Sequence, residues 1–219
     1  MADIAASEAP APQVSPNNPC PFLRALVAGN YVGGHIVPLP ELTETIGRAT
    51  GKTGMEGFIA RAKIFMVAQG ANGFGPISQL RSLFNGAILD ELRNGPLDKH
   101  GAGSRILDQH ATVHEDEIAR LASYGRDYKS PDGGVERGLS ASEIKTFMAE
   151  NFQRAAGEHS TSWTILHYYY RLLMLGEWPV LLDIMGKGEG KDRYLSVAEV
   201  RTLFVERRFP DRIVALLNG

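Results

Sequence analysis

Cysteine is almost missing from this 219-residue chain: there is one, Cys20. A single thiol excludes an internal disulfide and every metal motif built on paired cysteines. Long apolar runs are missing as well, and no stretch approaches the roughly 20 residues that span a bilayer. Neither sign of charge is in surplus, with 23 basic residues against 25 acidic ones. No electrostatic footprint therefore points to nucleic acid or to an anionic membrane. The opening residues, Met-Ala-Asp-Ile-Ala-Ala-Ser-Glu, lack the basic segment and apolar run of a secretory signal. On this reading the chain is expected in the cytoplasm, or outside the cell if a leader has been removed.

What is present suits one domain with a well-buried core: 43% hydrophobic and 22% charged residues. Residues 1–16 are rich in Ala and Pro without periodicity and read as a disordered leader, with a single domain over 17–219. From Phe22 onward the pattern is helical. Phe22, Leu23, Leu26 and Val27 form one apolar stripe, ended by Gly29. Leu39, Leu42 and Ile46 form a second, ended by Gly51. Phe58, Ile59, Ala62, Phe65 and Met66 form a third, ended by Gly70. Between 71 and 112 short apolar clusters alternate with Gly-rich loop, a segment expected to wrap around something.

Val113 to Tyr124 reads as a further helix, ended by Gly125. Ser140-Ala-Ser-Glu143 and Ser196-Val-Ala-Glu199 are capping boxes that start two more. Trp163 to Leu175 places Trp163, Leu166, His167, Tyr170 and Met174 on one helical face. Strand-like alternation persists nowhere. The expected fold is all-α, a single compact multi-helix domain with at most a small β-hairpin.

Chemistry concentrates first at Pro19-Cys20-Pro21, ahead of the first helix. Proline is favoured at the first helical position, where its missing N–H is not needed. Cys20 therefore falls at or beside the N-cap, near unpaired N–H groups and the positive end of the helix dipole. Such surroundings favour a thiolate.

Asn18-Pro-Cys-Pro-Phe-Leu-Arg-Ala-Leu26, then Gly29-Asn-Tyr31 and the Leu39–Ile46 segment, resembles the opening of the haem-thiolate peroxidases, the chloroperoxidases and unspecific peroxygenases. Further blocks follow in the family's order. Leu97-Asp-Lys-His100 and Ile106-Leu-Asp-Gln-His-Ala-Thr112 resemble its Leu-x-x-His segment and its Glu-His-Asp-x-Ser motif. Gly138-Leu-Ser-Ala-Ser-Glu143 is similar to the start of its next long helix. Leu175-Gly-Glu177 and Val205-Glu-Arg-Arg-Phe-Pro210 resemble its closing segments. The resemblance implies a haem b domain around the cofactor, with Cys20 as axial thiolate to the iron. It also implies hydrogen peroxide as oxidant and a small organic molecule as the substrate oxidised or oxygenated. The thiolate would push electron density that favours O–O cleavage.

Two positions depart from the family pattern. Its acidic motif holds magnesium beside a haem propionate. Here the matching residues are Asp108, Gln109, His110 and Thr112. Asp108, Thr112 and the Gln109 carbonyl still offer oxygen, but the His110 imidazole is a poor ligand for a hard ion. A protonated His110 would supply the positive charge instead, an idea that stoichiometric Mg²⁺ in the purified protein would reject. The family's distal glutamate is matched by His167, counted back from Leu175-Gly176. A neutral imidazole can take and return the peroxide proton. With a reference pKa of ~6.5 against ~4.3 for Glu, its activity is expected to fail at higher pH on acidification.

Other readings compete. His110-x-x-x-His114 beside Glu115 and Asp116 has helical zinc-ligand spacing but no clear third ligand. Asp132 to Glu143 and Gly188 to Glu199 have the length of calcium loops, but positions one, three and five read Asp132, Gly134, Glu136 and Gly188, Gly190, Asp192, an incomplete oxygen set, and Arg137 and Arg193 stand in place of the sixth-position Gly. The alternative to an enzyme is thus a non-catalytic haem-binding protein or a degenerate calcium-binding one. Gly186-Lys-Gly-Glu-Gly-Lys191 reads as a turn, and Phe58, Phe65, Phe74 and Phe84 as channel or core.

Overall fold

Proline and glycine punctuate the elements. In the computed structural model, which describes residues 13–69, 73, 76–93, 103–158 and 178–219, α1 (Pro21–Ala28) begins on a proline and stops at Gly29. α2 (Leu39–Ala49) follows Pro38, and α3 (Gly54–Gln69) and α4 (Pro76–Asn85) come next. Two-residue strands β1 (Ile36–Val37) and β2 (Ala87–Ile88) pair antiparallel across them. α5 (Glu115–Tyr124) carries three acidic residues in its first turn, which suits the helix dipole. It leads into the hairpin of β3 (Arg126–Lys129) and β4 (Val135–Leu139). α6 (Ala141–Glu158) and α7, helical over 178–185, precede β5 (Leu195–Ser196), α8 (Val197–Val205) and α9 (Asp211–Asn218).

The chain is mostly helical, as expected, but the strands exceed the single hairpin foreseen. β5 adds to β4, giving a three-stranded antiparallel sheet in the order β3-β4-β5. These strands are too short to show a sustained alternation, and β4 carries Gly138 besides. Tyr128 and Tyr194 stack at 4.3 Å over Gly138, where any side chain would collide with the Tyr194 ring. The hairpin turn is a Pro-Asp-Gly type: Gly133 has φ +92, and the Asp132 carboxylate accepts from the Gly134 N–H at 3.0 Å.

Two boundaries and one buried face differ from expectation. α5 starts after Val113 because Val113 bridges Leu107, leaving His114 as N-cap. The leader reading stops short: Val14 packs on the core, and the carbonyls of Ser15 and Pro16 are held by Arg24 and Arg93. α3 also turns the other way from the stripe read in the sequence. It packs on α2 and buries Gly57, Ala60, Ile64 and Ala68, leaving Phe58 70% and Met66 64% exposed. Small residues win the inner face because they let two helix backbones approach closely. The segment 71–112 holds a ten-residue helix, α4, where only short clusters were expected. Of the four phenylalanines suggested for a channel, Phe58 and Phe84 are exposed, Phe65 is half-buried, and Phe74 lies outside the described residues.

The core runs from α1 to α9. Phe147, on α6, is fully buried between Tyr124 and Trp178, and the Trp178 ring lies 6.3 Å from Phe204. The Ser140 capping box forms as read: the Ser140 N–H donates to Glu143 at 2.6 Å, and the Glu143 N–H returns to Ser140 Oγ at 3.4 Å. At Ser196 only half of the box forms, because the Glu199 carboxylate is turned to Arg212. Among the described residues no helix is long and apolar enough to cross a membrane.

Candidate functional site

Cys20 is the N-cap of α1, with extended backbone (φ −82, ψ 114), and its side chain makes no capping bond. Its position is fixed from both sides. The Cys20 N–H donates to the buried Asn18 carboxamide at 3.1 Å, and the Cys20 carbonyl accepts the Arg24 N–H at 3.0 Å. Pro19 and Pro21 stiffen the backbone between these bonds.

One helical turn later, Arg24 is 4% exposed. A long helical side chain points back toward the N-terminus, and Arg24 does so, donating to the carbonyls of Ser15 at 3.0 Å and Asn18 at 3.3 Å. Burial holds its pKa below the usual arginine range; Arg207 and Arg93 push the same way, and the negative form of Cys20 opposes them. Arg24 is thus the guanidinium that interacts with this thiol, and it feels the charges of Arg207 and Arg93 in turn.

Two further segments singled out in the sequence, the 108–112 turn and the closing block, meet the cysteine segment. The Arg93 N–H donates to the Asn17 carbonyl at 2.9 Å, and its guanidinium reaches the Pro16 carbonyl at 3.1 Å and the Asp108 carbonyl at 3.3 Å. The cysteine loop and the 108–112 turn are therefore joined through one arginine. From the closing block, Phe209 sets its ring 4.8 Å from Phe22, two residues past the cysteine, and 6.2 Å from Tyr31. Leu97 to His100, Leu175 to Glu177 and His167 lie outside the described residues.

The 108–112 turn is closed on itself. Asp108 Oδ1 accepts the N–H groups of His110 and Thr112, both at 2.8 Å, and Ala111 takes φ +60. The backbone N–H groups of Thr112 and His110, Thr112's first, keep the Asp108 carboxyl below its usual range. Asp108 Oδ2 faces His114 Nε2 at 3.6 Å, while the His110 ring lies beside the Gln109 carboxamide at 3.2 Å. Among the described residues no three His, Cys, Asp or Glu side chains gather to hold a metal. Asp108 and Thr112 share this one turn, and of the zinc pair only His114 faces Asp108. Glu115 instead pairs with Arg201, as a solvated helix start would.

The donor that a thiolate-ligated haem needs is present: a clamped cysteine at a helix N-terminus, half-buried against the core, with the buried Arg24 one turn later. Arg24 and Arg93 were not singled out in the sequence. The signal for Arg24 was its spacing, four residues past the cysteine on the same face; nothing local marked Arg93. A separate open cleft of about 450 Å³ is lined by Arg126, Tyr128, Gly188 and Tyr194 among others, and by none of the candidate ligand residues. Comparison with known proteins returns no matching family model, no matching curated protein and no matching solved structure.

Proposed function

We propose that this protein is a haem-thiolate peroxidase or peroxygenase, with Cys20 as the iron ligand and hydrogen peroxide as oxidant. What carries the reading is the clamped N-cap cysteine on which three sequence blocks of the family pattern converge. The haem, when bound, supplies the iron at which peroxide is activated, and its thiolate ligand favours O–O cleavage.

The chain's own residues then have distinct tasks. Cys20 binds the iron; Asn18, Pro19 and Pro21 hold its backbone so that little order is lost on binding. Arg24 and Arg93 brace the loop before it, and on this reading their charge takes the part first given to His110. His167 is the proposed group that takes the proton from peroxide and returns it. Asp108 and Thr112 shape their turn, and no step is assigned to magnesium.

The test is spectroscopic. Reconstituted with haem, reduced and exposed to CO, the protein is expected to show the red-shifted Soret band of thiolate ligation, and Cys20→Ser to lose it. An unchanged spectrum in Cys20→Ser would overturn the proposal. Steady oxidation of a phenol with peroxide then separates an enzyme from a haem-binding protein without turnover, and His167→Ala reacting as fast as the parent would remove His167 from its role.

A further inference from the structure

The two segments with the length of calcium loops, Asp132–Glu143 and Gly188–Glu199, lie side by side. Leu139 and Leu195, the eighth position of each, pair antiparallel, and Gly138 pairs with Ser196. In a calcium loop the fifth position offers an oxygen to the ion and the twelfth a bidentate glutamate. Here the fifth-position carboxylate of the first loop, Glu136, reaches across to the second. It accepts from Lys187 Nζ at 2.8 Å, Tyr194 Oη at 2.7 Å and Ser196 Oγ at 2.6 Å. The twelfth-position carboxylate of the second loop, Glu199, grips Arg212 at 2.6 and 2.9 Å and meets Lys187 Nζ at 3.2 Å. The Lys187 side chain, 16% exposed, thus has one carboxylate from each loop within 3.2 Å.

We propose that Lys187 is a built-in cation, joining the two loops in place of a divalent ion, so that this unit closes without metal and does not respond to calcium. The surroundings agree. Among the described residues three donors and no cation-ligating acceptor converge on Glu136, so the protein itself takes most of its acceptor capacity. Gly188 and Gly190, at the first and third positions of the second loop, offer no side-chain oxygen. Their φ of +72 and +54 let the turn close tightly, and the Lys187–Tyr194 bridge completes it. The inference is independent of the haem reading.

Thermal unfolding of the full chain, followed by circular dichroism in EDTA and in excess Ca²⁺, tests it. The wild-type melting temperature is expected to be the same in both, and Lys187→Met to melt several degrees lower. Lys187→Arg, which keeps the charge, is expected to melt near the wild type. A saturable rise of the wild-type melting temperature with Ca²⁺ overturns the proposal. So does a Lys187→Met protein that melts with the wild type, or a Lys187→Arg protein that fails to fold.

Discussion

Replacing Glu136 by Gln keeps the shape of the side chain and removes the charge that Lys187 faces. The Glu136 side chain is 19% exposed, so water screens the interaction only in part. Burial by itself would raise its pKa. Hydrogen bonds from Lys187, Ser196 and Tyr194 outweigh burial and lower it from 4.5 to about 2. The folded protein therefore binds this proton less readily than the unfolded chain. Its stabilisation is complete above about pH 4.5 and is lost as pH falls toward 2. At ~1.4 kcal/mol per pH unit the gap amounts to about 3 kcal/mol at neutral pH, comparable with the cost of breaking a buried ion pair. Urea unfolding of the wild type and Glu136→Gln, near neutrality and at about pH 3, between the two pKa values, reads it directly. The variant is expected to be about 3 kcal/mol less stable near pH ~7, with the difference shrinking as acid protonates Glu136 in the wild type. Equal stability at neutral pH, or a difference that does not shrink in acid, would refute the reasoning.

The same cluster and the core give two further outcomes. Burial, then Glu136, raises the Tyr194 hydroxyl from 10.0 to about 12, so the stabilisation from its neutral form is complete below about 10 and lost as pH rises through 12. An ultraviolet phenolate titration of the wild type less Tyr194→Phe reads that proton, and ionisation at the ordinary tyrosine value would contradict the geometry. Phe147, fully buried between Tyr124 and Trp178, is expected to cost about 3–5 kcal/mol as Phe147→Ala. A loss under 1 kcal/mol in chemical denaturation would mean that this ring is not at the centre of the core.

Sequence alone determined those features whose cause lies within a few residues. Pro21 and Gly29 set both ends of α1, Ser140 and Glu143 capped α6, and Cys20 was placed at a helix N-terminus because proline leaves no other first position as favourable. Tertiary structure decided whatever depends on partners far along the chain. Which face α3 buries could not be read locally, since that helix is apolar on more than one side, and small residues opposite α2 settled it. β5, two residues long, is too short to declare itself and exists because Leu195 and Ser196 pair with Leu139 and Gly138 of β4. Arg93 beside the cysteine loop and Lys187 between Glu136 and Glu199 carry no local signature at all. A charged side chain's role depends on the charge it meets, and only the folded chain brings those groups within reach.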